Sequence, residues 1–144
     1  MLINPELAKA INAQIGNEFG ASMQYLSIAG HFHTQKLTLL AKLFFEQAEE
    51  EKTHAMKFAH YVLDTQGDLQ IPAIAAPKPK FASAEEAVKA ALAWEMEVTE
   101  QIKALMDMAV SQNDYLAQNF LQWFIDEQLE EINKMDQLLS VIQR

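Results

Sequence analysis

The sequence contains no cysteine. That excludes disulfides and every thiolate-ligated metal site, so any bound metal must be held by oxygen and nitrogen donors. Glycine and proline are scarce, at four each in 144 residues. The remainder is rich in Ala, Leu, Glu, Gln, Met and Lys, all good helix formers, and this balance points to an all-helical domain. A basic surplus is also missing. Eleven Lys and Arg stand against 20 Asp and Glu, a formal net charge of -9 with a sequence pI near 4.8, which argues against nucleic acid as a partner. No stretch approaches the roughly 20 apolar residues of a membrane span. The N-terminal MLINPELAK has no basic segment leading into an apolar run, so no membrane association and no secretory leader are expected, and a cytoplasmic location is the default. The length suits one domain, residues 1–144, with a single continuous core.

Four helices can be placed from start and stop signals. Asn4-Pro5-Glu6 offers an N-cap residue, proline at the first helical position and a carboxylate favoured by the helix dipole. Helical periodicity then runs to about Phe32, and His33-Thr34-Gln35-Lys36-Leu37 reads as a short connection. A second helix runs from about Thr38 to Gln66, with Gly67 as the residue that ends it. Ser83-Ala84-Glu85-Glu86 is a capping box opening a third helix that lasts to about Gln112. Asn113-Asp114 is a turn signal, and the fourth helix continues to near Val141. Between the second and third helices lies DLQIPAIAAPKPKFA, where Pro72, Pro77 and Pro79 exclude helix and favour extended chain. A helix of about 28 residues is roughly 42 Å long. A linker of about 15 residues at roughly 3.1 to 3.3 Å each covers a similar distance. The expected fold is therefore all-α, an antiparallel four-helix bundle with one long crossover between helices 2 and 3.

Charged residues stand where the core should be. With a seven-residue period, the first inward stripe passes through Ala8, Ile11, Ile15, Glu18, Ser22, Tyr25 and Ala29. The second is Leu40, Phe44, Gln47, Glu51, His54, Phe58 and Tyr61. The third is Val88, Leu92, Glu95, Thr99, Ile102 and Met106, and the fourth is Phe120, Phe124, Glu127, Glu131, Leu138 and Val141. Every helix carries an inward carboxylate about 13 residues from its start, and midpoints of antiparallel helices share one height. For a single Glu the bland explanation is a helix rotated to expose it. For all of them at one height that explanation fails. Buried carboxylates cost several kcal/mol apiece unless paired, and Glu18, Glu51, Glu95, Glu127 and Glu131 have only His54 and Lys134 as nearby cationic candidates. Two divalent metals would supply the missing charge. Glu51 and His54, three residues apart, share one helix face. Such a pair is weak alone but fits a di-metal carboxylate site, and oxygen-rich ligation with one imidazole suits iron better than zinc or copper.

These segments resemble those of bacterial non-haem ferritins over nearly the whole chain, from about Asn4 to Arg144. The resemblance rests on NEFGASMQYLSIA with Glu18 and Tyr25 and on QAEEEKTHAMKF with Glu50, Glu51 and His54. It rests equally on Glu95 in AWEMEVTEQI and on NFLQWFIDEQLEE with Glu127, Gln128, Glu130 and Glu131. It implies a first iron held by Glu18, Glu51 and His54, and a second held by Glu51, Glu95 and Glu131, with Glu51 bridging. By the same resemblance, Glu50, Glu127, Glu130 and Glu131 would make a nearby third iron site. Gln128 would line the second site, and Tyr25 would be the tyrosine beside the irons. The implied activity is iron storage with oxidation of Fe(II) by O2 or H2O2, in a homo-oligomeric shell of 24 subunits.

Two departures set the chain apart from haem-containing bacterioferritins. Glu127 is followed three residues later by Glu130 in place of a histidine, and their haem-ligating methionine is Lys52 here, so no haem is expected. Ferritin chains usually continue into a short fifth helix, whereas this sequence stops at Arg144, and none is expected. Two alternatives carry different chemistry: a rubrerythrin-like di-iron peroxidase or oxidase, and a non-catalytic helical interaction module whose polar layer fixes register. Trp123 and the phenylalanines Phe19, Phe44, Phe58, Phe120 and Phe124 are expected in the core. His31, His33 and His60 are expected at the surface.

Overall fold

A computed structural model describes residues 2–144; the expected domain, numbered from residue 1, begins one position outside the described set. Among the described residues there are four helices and no strand: α1 (Pro5–Thr34), α2 (Thr38–Asp64), α3 (Ala84–Ser111) and α4 (Tyr115–Gln143). They form two compact units, one ending at Ala82 and one spanning Ser83–Arg144. In the first, α1 packs on α2, and in the second α3 packs on α4. Both pairs are antiparallel hairpins. The backbone N–H groups of Leu2 and Ile3 donate to the Thr65 carbonyl, which sets the start of α1 beside the end of α2. Gln143 Nε2 donates to Glu85 Oε1 at 3.0 Å, which does the same for α3 and α4. No helix among these residues is long and apolar enough to cross a membrane.

The helix starts follow the sequence signals. Asn4 Oδ1 accepts from the Glu6 N–H at 2.8 Å, with proline in the first turn. Ser83 Oγ accepts from the Glu86 N–H at 3.1 Å, and Asp114 Oδ1 from the Ala117 N–H at 3.0 Å. Each removes one of the unpaired donors of a helix's first turn. At the other end α1, α2 and α3 share one stop. Lys36, Gln66 and Asn113 adopt φ of 65°, 64° and 53°. The next residue's N–H then reaches back five positions, Leu37 to Phe32, Gly67 to Val62 and Asp114 to Ala109. This is the Schellman arrangement. In α2 the left-handed residue is Gln66, so Gly67 is not the turning residue that sequence expects. Glycine is needed there for room: a Cβ would lie 2.9 Å from Ile3 Cγ2 and 3.0 Å from Val62 Cγ1.

The proline-rich segment lies along α1 and runs parallel to it. Asn12 Nδ2 donates to the Asp68 carbonyl at 2.8 Å. Further along, the Lys78 N–H donates to Gln24 Oε1 at 2.9 Å, and Ser27 Oγ donates to the Lys78 carbonyl at 2.6 Å. Phe81 ends the run with its ring 5.7 Å from that of His31. Gly16 makes the close approach possible, since a Cβ on it would meet Pro72 Cγ at 2.6 Å. The segment therefore carries the chain from the end of α2 back along the hairpin, as its length predicts.

The core stripes of α1 and α2 match expectation, with only Leu40 half-buried. Those of the second hairpin are turned by about one position. In α3 the buried set includes Ala91, Val98 and Leu105, whereas Leu92, Thr99 and Met106 are half-buried. In α4 it is Ala117, Leu121, Phe124, Gln128, Glu131 and Met135. Phe120, Glu127 and Leu138 are half-buried and Val141 is exposed. Bulky side chains drew the sequence-based stripe toward themselves, but alanines face inward where helices approach closely. Trp123, expected in the core, is 41% exposed and sets its ring against the edge of buried Phe124 at 5.0 Å. Phe19 is half-buried, while Phe44 and Phe58 are fully enclosed.

Candidate metal centre

Midway along the first hairpin the apolar stripe is interrupted by Glu18 of α1 and by Glu51 and His54 of α2, all essentially inaccessible to solvent. The helix repeat puts Glu51 and His54 on one face a turn apart. Antiparallel pairing then brings Glu18 to the same height. His54 Nδ1 lies 3.2 Å from Glu51 Oε2 and 3.8 Å from Glu18 Oε2. The three residues each offer a donor atom within 4.8 Å of the others. Apolar residues enclose the cluster along both helices, with Ile15, Ala21, Tyr25, Phe44, Ala48, Ala55 and Phe58 all buried.

The electrostatics of this cluster are unbalanced. Burial pushes the Glu51 carboxyl up from 4.5 to about 7; the His54 imidazole opposes that rise and neighbouring Glu18 adds to it. Burial alone would lower His54, but hydrogen bonding and attraction from Glu18 and Glu51 outweigh it and hold the imidazole up at about 10. Two carboxylates thus share one imidazole, and the buried Oε2 atoms of Glu18 and Glu51 face its Nδ1 at 3.8 and 3.2 Å without a well-aligned hydrogen bond. Orphaned buried oxygens of this kind are costly. Two of them beside one imidazole nitrogen match the donor set of a divalent first-row cation.

The Oε1 atoms are occupied instead. Gln14 Nε2 donates to Glu18 Oε1 and Gln47 Nε2 donates to Glu51 Oε1, both at 3.2 Å and both from one turn earlier in the same helix. Neither glutamine was assigned a role from sequence. The available signal was a polar amide four residues before an inward carboxylate, and in the case of Gln47 its place on the inward stripe itself. Tyr25 is fully buried, with its ring 5.8 Å from that of Phe44. Glu50, adjacent to Glu51 but turned by about 100°, is exposed.

The second hairpin carries its own buried polar group. Glu95 of α3 and Glu131 and Gln128 of α4 are buried, at 0%, 3% and 2% exposure. Gln128 Nε2 lies 3.1 Å from Glu95 Oε2 and 3.1 Å from Thr99 Oγ1, which ties the two helices together at that level. Glu131 follows Gln128 by three residues and faces the same way. Glu127 is half-buried and Glu130 exposed. His33 and His60 are exposed, and His31 is half-buried beside Phe81.

A family model described as a ferritin-like domain matches residues 8–144. The chain is 41% identical over 134 residues to ferritin BfrB of Mycolicibacterium smegmatis, covering 93% of this chain and 74% of that one. It is 32% identical over 143 residues to the bacterial non-heme ferritin of Staphylococcus aureus, covering 99% and 86%. Among solved structures, an open pore ferritin from the hyperthermophilic archaeon Archaeoglobus fulgidus superposes with a TM-score of 0.96 at 30% identity, over 98% of this chain and 86% of that one. The likeness shows the fold class to be the all-α four-helix bundle.

Proposed function

Because the chain belongs to the ferritin-like domain family, we propose that it is an iron-storage protein with ferroxidase activity. It takes up Fe(II), oxidises it at a carboxylate-rich centre and lays down Fe(III) as an oxo-hydroxide mineral inside a homo-oligomeric shell. The observation that carries this reading is the trio Glu18, Glu51 and His54, where two buried carboxylate oxygens converge on one imidazole nitrogen without a well-aligned hydrogen bond. Iron is the substrate here, and these residues would take the first ion. Glu51 would bridge to a second ion held with Glu95 and Glu131, Gln128 lining that position and Tyr25 standing beside the pair. Two Fe(II) each give up one electron, and O2 or H2O2 accepts both, so neither ion needs a second oxidation step. Burial among apolar side chains excludes water and keeps the carboxylate charges strong.

Release of product distinguishes storage from catalysis alone. Glu50 and Glu130 are exposed and Glu127 is half-buried, so with Glu131 they would provide a third, wetter position through which iron leaves the centre. A shell of 24 subunits, no haem, a single domain over residues 1–144 and a cytoplasmic location complete the reading. The test is an aerobic titration of metal-free protein with Fe(II), following rapid oxidation. A break near about two irons per chain, lost in Glu51→Ala, with slower loading continuing beyond it, is the expected result. A break with no further loading would make the protein an oxidase, and no fast phase would refute the centre.

A further inference from the structure

The sequence pattern places Gln47 on an inward stripe and leaves Gln14 off it, yet both are buried, at 0% and 2% exposure. Burying a primary amide carries a cost unless its donors and acceptor are used, so their presence needs a reason. Each donates from Nε2 to the Oε1 of the glutamate four residues ahead. The two devices repeat each other on different helices. Gln14 is itself held in orientation, because Asn17 Nδ2 donates to Gln14 Oε1 at 3.3 Å and so leaves the NH2 group aimed at Glu18. In both glutamates the amide takes Oε1, whereas Oε2 is the atom left without a donor on the side of His54.

We propose that Gln14 and Gln47 are positioning residues for the metal centre: each holds one oxygen of a ligand carboxylate and so presents the other to the incoming cation. This rests on the reading of the trio as an iron site. A carboxylate has about four lone-pair directions, and without a fixed partner it rotates among them. An amide bound to Oε1 removes that freedom and leaves Oε2 entirely for the metal. Partners that orient a ligand in this way typically change metal affinity by about 10- to 100-fold when removed. The consequence is uneven between the two residues. On the proposed assignment Glu18 would serve one metal position and Glu51 two, so loss of Gln14 should weaken one site and loss of Gln47 both.

The test uses the metal-free full-length protein and Co(II), which is not oxidised on binding here and reports its ligands through its visible absorption. Gln14→Met and Gln47→Met keep side-chain length and apolar packing while removing the amide. Gln122→Met is the control, because Gln122 also donates to an acid four residues ahead, Asp126, but on the exposed face. Expected are about tenfold weaker binding at one of two Co(II) sites in Gln14→Met, about tenfold weaker binding at both in Gln47→Met, an altered absorption band in each, and no change in the control. If either Met variant does not fold, Gln14→Leu or Gln47→Leu replaces it, removing the amide and adding neither a donor nor a metal ligand. Wild-type affinity and spectrum in the Met variants, with lowered urea stability alone, would show a packing role and overturn the proposal. Absence of Co(II) binding in the wild type would overturn the iron site itself and the proposal with it.

Discussion

Replacing Glu51 by Gln should stabilise the metal-free protein and abolish its stabilisation by metal, so that the order of stability of the two proteins inverts when a divalent cation is added. The glutamine is nearly isosteric, and its Oε1 can still accept from Gln47. Its new NH2 group falls where Glu51 Oε2 lies, 3.2 Å from His54 Nδ1, while the imidazolium keeps Glu18 Oε2, 3.8 Å away, as its charge partner. The charge of the buried cluster improves as well. At pH 8 two carboxylates and one imidazolium leave a net negative charge in the core, and the substitution removes one of them. The sign follows from linkage. Glu51 has a folded-state value raised from 4.5 to about 7. The stability associated with its proton is therefore complete below about 4.5 and is lost as pH rises through about 7. Above that, the ionised form costs the folded state on the order of 3 kcal/mol. That figure already contains the opposing pull of His54; burial of the new amide offsets part of it, so a net gain of about 1–3 kcal/mol is expected in the variant at pH 8, or about 3–8 °C in melting temperature for a chain of this size.

With metal present the comparison reverses. A ligand at 100 times its dissociation constant stabilises the state that binds it by about 2.7 kcal/mol, and the variant lacks the oxygen that would receive it. The assay is urea denaturation followed by circular dichroism at pH 8 and fixed protein concentration, with chelator or with Co(II). A variant less stable than wild type by more than about 1 kcal/mol under chelator would refute the reasoning. It would mean that Glu51 and His54 form a structural ion pair, whose disruption leaves an uncompensated charge.

His54 supplies a second pH signature. Its folded value is held up at about 10 against 6.5, so its contribution to the metal-free protein is complete below about 6.5 and disappears as pH rises through about 10. Urea midpoints should fall between pH 7 and 10 in the wild type and stay flat in His54→Leu; parallel curves would contradict this. Tyr25→Phe should leave Co(II) affinity unchanged, because the ring and its contact with Phe44 are kept, while altering the steps after the first Fe(II) oxidation in stopped-flow absorbance. Weaker metal binding would show Tyr25 to be part of the binding set. Gly16→Ala should destabilise the protein by about 1–3 kcal/mol, since the new methyl would meet Pro72 Cγ at 2.6 Å. Unchanged urea stability would show that the crossover segment is free to move away.

The parts of this molecule legible in its sequence are those where one residue type answers one physical need. Asn4, Ser83 and Asp114 each accept from an N–H in the first turn that nothing else satisfies, and the prolines after Gly67 leave extended chain as the remaining choice. The carboxylates were legible because they break the apolar period: Glu18, Glu51, Glu95 and Glu131 are all buried as the pattern requires. What could not be read depends on contacts made from outside the local segment. The inward face of α4 is turned by one position, toward Leu121 and Gln128, because small Ala117 also faces inward, and size alone made Phe120 and Trp123 look like better core residues. Gly67 is glycine because Ile3, more than 60 positions away, leaves no room for a Cβ. The glutamines fall between these cases. Their spacing from Glu18 and Glu51 was visible, but an amide at i−4 is ordinary on a solvated helix face, where it costs nothing. Only enclosure turns the same spacing into a constraint, because a buried amide must use its donors, and Gln14 and Gln47 have each found a carboxylate oxygen of the proposed metal-binding trio.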